Sequence, residues 1–248
     1  MHSAKSIVLG LALAVAGHAG AQPEMEAAPL VTPFSSAKPG AAPPRGWEPL
    51  TFGSLKSPTK YAFVEDGGKV VVHARAESAA SGFNFPVKFD VRSAPFVEFR
   101  WKIAKLIAGA DNRVAAKEDA PARIVLGFDG DKSKLTFKEK TASALARSAT
   151  GKDLPYAQMI YIWSNTEPVG TVIENMHTRR VRMVVAATSG ADAGKWVTLT
   201  RNVVEDFRKA FGEEPGLLTD VGIMTDTDNT GETVDAWYGD IRFGTDRR

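Results

Sequence analysis

The chain has 248 residues, and its 31 basic and 29 acidic side chains give a formal net charge of +2. This balance argues against a general electrostatic attraction to nucleic acid, and we expect no nucleic-acid partner. The chain contains no cysteine, which excludes disulfide staples and a cysteine-linked lipid anchor, so the apolar core must stabilise the fold without them.

The first 21 residues have the three parts of a secretory signal peptide. Lys5 supplies positive charge, residues 7–16 are apolar, and Ala19, Gly20 and Ala21 offer a cleavage site of small residues. The apolar run is shorter than the roughly 20 residues that a membrane-spanning helix needs. We therefore expect cleavage after Ala21, a periplasmic or secreted location, and no stable membrane anchor.

Residues 22–45 form a segment rich in proline and alanine without apolar periodicity. Such a composition is typical of an extended or disordered leader. From residue 46 onward β-branched and aromatic residues become frequent. Residues 46–248 are long enough for one large β-sandwich, and we predict a single domain there.

Short segments of strand character recur along this domain, separated by Gly, Pro, Asn and Asp. The first two flank Asp66-Gly67-Gly68, a turn sequence that predicts a β-hairpin. The others are SGFNFPVKFD, PFVEFRWKI, ARIVLGFDG, QMIYIWS, RRVRMVVAAT, KWVTLTRN, TDVGIMTDTD and DAWYGDIRFG. This repetition predicts a mostly all-β fold, built as a β-sandwich.

Two segments interrupt the strand pattern with helical character. LTFKEKTASALARSATG is rich in alanine, whereas NVVEDFRKAFG begins with Asn202, a good N-cap, and ends with Gly212. We predict a short helix in each.

Alternation gives each predicted strand two faces. In FVEFRWKI the apolar side chains share the core face, and the opposite face carries Glu98, Arg100 and Lys102. In QMIYIWS we expect the isoleucines to face the core and Tyr161 and Trp163 to face outward. If these strands are neighbours, their polar faces form one candidate ligand groove. The simpler interpretation is an ordinary solvated sheet face.

Charges on such a face need partners when aromatic rings partly desolvate them. We therefore expect Arg100 and Arg123 to be paired with acidic residues, with Glu98, Asp119 and Asp240 as the candidates.

Exposed aromatic rings beside hydrogen-bonding side chains are typical of sugar-binding sandwiches. The candidates are Tyr161, Trp163, Trp237 and Tyr238. The alternative is core packing, and we assign that role to Trp101.

The densest polar motif is MTDTDNTGETVDAWYGDI. Its oxygen-bearing side chains suit a hard cation, which gives a candidate calcium site of Asp226, Asp228, Thr230 and Asp240. The spacing does not fit an EF-hand, since Trp237 stands where a bidentate glutamate is required. The simpler interpretation is a plain turn held by side-chain-to-backbone hydrogen bonds.

Catalytic signatures are sparse. His73 and His177 remain after removal of the signal peptide, and neither has a metal-ligand spacing. Acidic residues are abundant, so a carboxylate pair for glycoside hydrolysis stays open, for example Asp119 with Asp226.

Several long motifs carry a family resemblance: FRWKI, DAPARIVLGF, MIYIW, KWVTLTRNVVEDFRKAFGEEP and VGIMTDTDNTGETVDAWYGDIRF. They resemble a bacterial family of exported proteins, domain-of-unknown-function family 3047 (DUF3047). The resemblance covers most of the chain from about residue 47 and implies no settled activity. The closing segment YGDIRF also resembles jelly-roll carbohydrate-binding modules, which implies a jelly-roll-like antiparallel β-sandwich.

The family pattern picks out a set of polar and aromatic residues: Arg100, Trp101, Lys102, Asp119, Arg123, Tyr161, Trp163, Arg201, Asn202, Asp206, Asp226, Asp228, Asn229, Thr230 and Asp240. Together with the polar sheet face, it gives a predicted ligand-binding set of Arg100, Lys102, Asp119, Arg123, Tyr161, Trp163, Asn202 and Asp206.

The leading functional hypothesis is a non-catalytic envelope domain that binds a polar ligand such as a glycan. The alternatives are a glycan hydrolase that uses a carboxylate pair, and a protein-protein assembly module. A large exposed apolar patch beside the aromatic residues would favour a protein partner over a sugar.

Overall fold

Strands make up most of the regular structure in the computed structural model, which describes residues 30–150, 153–176 and 178–247. In chain order the elements are β1 (Glu48–Leu50), β2 (Lys60–Asp66), β3 (Lys69–Glu77), β4 (Ala80–Phe89), β5 (Phe96–Ile103), β6 (Arg123–Phe128), α1 (Phe137–Thr150), β7 (Ala157–Ser164), β8 (Val172–Glu174), β9 (Val181–Thr188), β10 (Val197–Asn202), α2 (Val203–Phe211), β11 (Leu218–Asp226) and β12 (Thr233–Gly244). The predicted signal peptide, residues 1–21, the first part of the predicted leader, residues 22–29, and His177 lie outside the described residues.

Two sheets pack face to face. One has seven strands in the order β1-β4-β11-β6-β7-β9-β8, and the other has five in the order β10-β5-β12-β3-β2. The predicted mostly all-β, jelly-roll-like sandwich is confirmed. One described strand pair departs from the antiparallel expectation, because β9 runs parallel to β7. The chain reaches the sheet edge as β8 and then turns back as β9 between β7 and β8.

Interleaved aromatic side chains hold the two sheets together. On β5 the alternation is as predicted: Phe99 and Trp101 are fully buried, while Arg100 lies on the outer face. The Phe99 ring lies 5.6 Å from that of Tyr161 on β7, and the Trp101 ring lies 6.0 Å from that of Trp163. These contacts between β5 and β7 cross from one sheet to the other.

The predicted outward orientation of Tyr161 and Trp163 is therefore wrong, since both rings are buried between the sheets. The β7 isoleucines face the other way and join a second apolar cluster on the outer side of the seven-stranded sheet. Both faces of β7 are buried, and its aromatic rings belong to the main core cluster between the sheets. Their polar atoms are satisfied there, because Tyr161 Oη donates to Asp206 at 2.8 Å and Trp163 Nε1 donates to the Ser189 carbonyl at 2.9 Å.

Both predicted helices and the predicted hairpin are present. The hairpin between β2 and β3 turns at Gly67 and Gly68, whose φ angles of 62° and 75° suit a two-residue turn of the primed type. Helix α2 begins after its N-cap Asn202 and ends at Gly212, which has a left-handed conformation. Neither α-helix of the described chain is long and apolar enough to cross a membrane.

The segment from residue 30 to 45 packs on the sandwich and thus differs from the predicted disordered leader. Phe34 lies in a short 3-10 helix and is fully buried, with its ring 4.4 Å from that of Trp47. The Gly40 amide donates to the Phe63 carbonyl of β2 at 2.8 Å. The prolines interrupt regular structure in this segment, but its apolar side chains complete the core.

This packing predicts that Phe34→Ala lowers the free energy of unfolding by about 3–5 kcal/mol, the usual cost of truncating a buried phenylalanine. Phe137→Ala on α1 is the matched control, because Phe137 is 87% exposed, and it should leave stability unchanged. Urea unfolding of the two variants measures both effects. Equal unfolding midpoints for the two variants would show that Phe34 does not stabilise the core.

Candidate functional site

The structure distributes the predicted ligand-binding residues among separate environments. Arg100 and Lys102 lie on the outer face of the five-stranded sheet, whereas Tyr161 and Trp163 are buried in the core. The others lie at α2 or in a buried acidic cluster. The single groove expected from the sequence is therefore not formed by these residues together.

Asn202 and Asp206 have structural contacts at the start of α2. The Asn202 side chain accepts hydrogen bonds from the Val204 and Glu205 amides at 3.1 and 3.2 Å. Asp206 accepts two hydrogen bonds from Arg201, at 2.9 and 2.6 Å, and a third from the hydroxyl of Tyr161. Both polar side chains are engaged in holding α2 on the sandwich.

A buried ion pair organises the acidic cluster. The Arg123 guanidinium donates to both carboxylate oxygens of Asp226, at 2.8 and 2.9 Å, and both side chains are buried. Burial raises the pKa of Asp226, although Arg123 and the Ala120 amide oppose the rise. For Arg123, burial acts to lower the pKa, but the charge of Asp226, the hydrogen bonds to it and the nearby charges of Glu118 and Asp119 together raise the pKa. The prediction that Arg123 is paired is confirmed, with Asp226 as the partner.

Asp119 and Asp228 complete this cluster, and oxygen atoms of the three carboxylates lie within 4.8 Å of one another. Asp119 accepts hydrogen bonds from the amides of Asn229 and Thr230 and from the Thr230 hydroxyl, at 3.2, 2.7 and 2.7 Å. Asp228 forms an ion pair with Lys56 at 2.6 Å.

These contacts support a plain turn at the acidic motif. Arg123 and Lys56 supply the positive charge that a metal ion would otherwise bring. Asp240, which was predicted as a fourth ligand, lies at a bulge in β12 and instead accepts hydrogen bonds from the Ser35 amide and hydroxyl at 2.9 and 2.7 Å. Asp119 and Asp226 do meet, but both are buried and hydrogen-bonded, so they offer no carboxylate pair to a glycosidic bond.

The outer face of the five-stranded sheet carries the aromatic and charged surface that the sequence predicts in part. We call it the tryptophan face and define it by Trp196, Trp237, Arg100 and Lys102, all of which are partly exposed. The register places Lys102 beside Trp237, and Trp237 beside His73. Trp237 alternates with the buried Ala236 and Tyr238, so core packing directs its ring outward.

Lys102 lies between the two tryptophans. Its Nζ is 4.4 Å from the ring centroid of Trp237 and 5.2 Å from that of Trp196, within the range of cation–π attraction. Asp66, at the end of β2, binds Lys102 Nζ and accepts a hydrogen bond from Trp196 Nε1 at 3.1 Å. The hydrogen bond from Lys102 lowers the pKa of Asp66, so this carboxylate stays charged at neutral pH and neutralises Lys102.

Arg100 is stacked but has no carboxylate partner among the described residues. Its guanidinium carbon lies 4.5 Å from the Trp196 ring centroid. Gly239 lies against its stem, since a Cβ at that position would come within 2.5 Å of Arg100 Cγ and Nε. The predicted ion pair of Arg100 with Glu98, Asp119 or Asp240 is not formed, because the ring and the glycine hold this side chain instead.

His73 extends the stack on the other side of Trp237. The two rings are 4.9 Å apart and nearly parallel, and His73 Nε2 lies 2.8 Å from a carboxylate oxygen of Asp235. Arg75 donates to the second oxygen of Asp235 at 2.9 Å. Aromatic rings and charged groups thus contact one another in a row across β3, β12 and β5 on this face.

Trp196 was missing from the residues selected by sequence. It precedes β10, in which Val197 and Leu199 pack against the core. Alternation therefore places Trp196 on the outer side with Thr198, and this signal was available. Tyr238, by contrast, faces the core, where its hydroxyl donates to the Met224 carbonyl at 2.6 Å.

Fold and surface together define a two-layer β-sandwich protein with a candidate ligand-binding face. Residues 45–242 match the profile of a family described as protein of unknown function, DUF3047, and the chain belongs to this family. No curated protein sequence matches the chain.

Solved structures with a similar fold include carbohydrate-binding and glycan-degrading proteins. A family 11 carbohydrate-binding module from Clostridium thermocellum is 8% identical, with a TM-score of 0.38 over 80% of this chain and 88% of the module. A family 12 xyloglucanase from Bacillus licheniformis is 7% identical, with a TM-score of 0.44 over 80% of this chain and 93% of the enzyme. At these values the likeness carries no information about ligand or activity.

The buried pair predicts that Asp226→Asn lowers the free energy of unfolding by about 3–5 kcal/mol, because the Arg123 charge is left buried without its partner. Asp90→Asn is the matched control, since Asp90 pairs with Arg92 on the exposed surface, and it should have little effect. Denaturant unfolding measures both. A wild-type midpoint for Asp226→Asn would contradict the structural role of the pair.

The plain-turn interpretation predicts that calcium leaves the melting temperature unchanged. A site that bound calcium in the folded state alone would stabilise the protein as calcium is added. Calorimetry with millimolar calcium and with a chelator measures the difference. A rise in melting temperature that Asp228→Asn abolishes would establish a metal site instead.

Proposed function

We propose that this chain is an exported, non-catalytic binding domain of the bacterial cell envelope, and that the tryptophan face binds a polar ligand of the glycan class. The observation that carries the proposal is the placement of Lys102 between Trp196 and Trp237 on an outer sheet face. Export is supported by the signal-peptide pattern of residues 1–21.

The contacts of the face support a role in recognition. The indole rings offer apolar surface at their exposed parts, and the neighbouring charged groups offer hydrogen bonds, which is the combination that a sugar ring needs. Asp66 fixes Trp196 through its indole nitrogen, and His73 packs on Trp237. Because the rings are already ordered, binding costs little additional side-chain entropy.

The distribution of exposed apolar side chains favours a sugar over a protein partner at this face. In the part of the chain that the structure describes, the large exposed apolar residues are Phe52, Val114, Phe137, Leu145, Leu154, Val169 and Met176. None of them lies on a strand of the five-stranded sheet. A protein partner would call for a larger apolar patch beside the tryptophans.

The proposal predicts that Trp196→Ala and Trp237→Ala each weaken glycan binding by roughly tenfold, as expected from the loss of about 1.4 kcal/mol of ring contact. Phe137→Ala is the matched control, because it removes an exposed ring from α1. A glycan array of neutral, acidic and peptidoglycan-derived oligosaccharides identifies ligands for calorimetry. Absence of binding across the array, or equal affinity in all variants, would refute the proposal.

A further inference from the structure

We propose that the tryptophan face selects acidic glycans, with Arg100 as the residue that binds the sugar carboxylate. This inference rests on the proposed function and names the class of sugar that the face takes. Arg100 differs from Lys102, Arg75 and Lys60 on the same sheet face, because these three cations have carboxylate partners.

Three neighbouring cations of this face are neutralised within the protein. Lys102 is paired with Asp66, Arg75 with Asp235 and Glu77, and Lys60 with Glu77. Arg100 has no ion pair with any residue that the structure describes, although Glu98 lies on the same face of the same strand. The centre of the face therefore carries one positive charge that is not compensated by a direct partner.

Packing holds Arg100 in place without using its hydrogen-bond donors. The guanidinium carbon lies over the Trp196 ring, 4.5 Å from its centroid, and the stem lies against Gly239. A guanidinium has five N–H donors, and those of Arg100 form no hydrogen bond with any residue that the structure describes. An ordered guanidinium with free donors is preorganised for an acceptor from outside the protein.

A carboxylate is the acceptor that fits this arrangement. The planar fork of arginine matches the two oxygens of a carboxylate, and the single charge of Arg100 matches the single charge of one uronic acid residue. The Trp196 ring beside it offers contact to the same or the next sugar. The geometry thus points to a uronate-containing polysaccharide.

The test compares polygalacturonate with its methyl-esterified form, two polymers with the same backbone that differ in the free carboxylate. Calorimetry or affinity electrophoresis of the full chain at low salt should show at least about tenfold tighter binding of the acidic form. Arg100→Gln should abolish this preference, and Arg100→Lys should restore part of it, since an ammonium keeps the charge but not the fork.

Arg147→Gln is the matched control, because it makes the same change of charge on α1, where Arg147 is largely exposed. It should keep the preference. Unfolding midpoints of all variants show whether each is folded. If Arg100→Gln does not fold, the partial loss of preference in Arg100→Lys still tests the role of Arg100.

The outcomes separate this inference from the proposed function. Trp196-dependent binding with equal affinity for the two polymers would overturn acid selection and leave glycan binding intact. A preference that survives Arg100→Gln, or that Arg147→Gln also removes, would overturn the role of Arg100. Failure of both polymers and of every other array glycan to bind would overturn the proposed function itself.

Discussion

The structure depends on the aromatic contacts between the sheets, which fix the phase of the central strands. Phe99 and Trp101 must face the interior to meet Tyr161 and Trp163. Because side chains alternate along a strand, Arg100 must then face outward. The same constraint acts on β12, where the buried Tyr238 directs Trp237 to the outer face. The core thus determines which side chains the surface can present.

The pairing of charged side chains differs between the buried acidic cluster and the tryptophan face. In the acidic cluster each carboxylate has at least one donor from the protein, and the buried Asp226 has a bidentate arginine partner, whereas one oxygen of Asp228 is buried without a hydrogen bond. Such an arrangement suits a fixed turn, since a buried charge without a partner would be costly. On the outer face, Arg100 is partly hydrated, so the free-energy cost of leaving its charge unpaired is small. Burial therefore separates the polar residues that build the fold from those that are free to meet a ligand.

Sequence predicts the local features of this protein well, but not the assembly of its surface. The β2–β3 hairpin, the cap of α2 at Asn202 and the two faces of β5 follow from short patterns and are confirmed. The orientation of β7 does not follow from its sequence. Both of its faces are apolar or aromatic, and alternation does not show which face contacts the other sheet. Arg100 and Arg123 were grouped on one face, yet they lie on different sheets. Strand order comes from contacts distant in sequence, which a local pattern does not contain.

The position of the last two strands has a consequence for folding. β11 lies between β4 and β6, and β12 lies between β3 and β5, so each sheet has one of the last two strands in its interior. A chain still being synthesised can form the β2–β3 hairpin, but it cannot close either layer until these strands emerge. Pairings this distant in sequence slow folding. A chain that still lacks β11 and β12 would therefore have unpaired strand edges inside both layers.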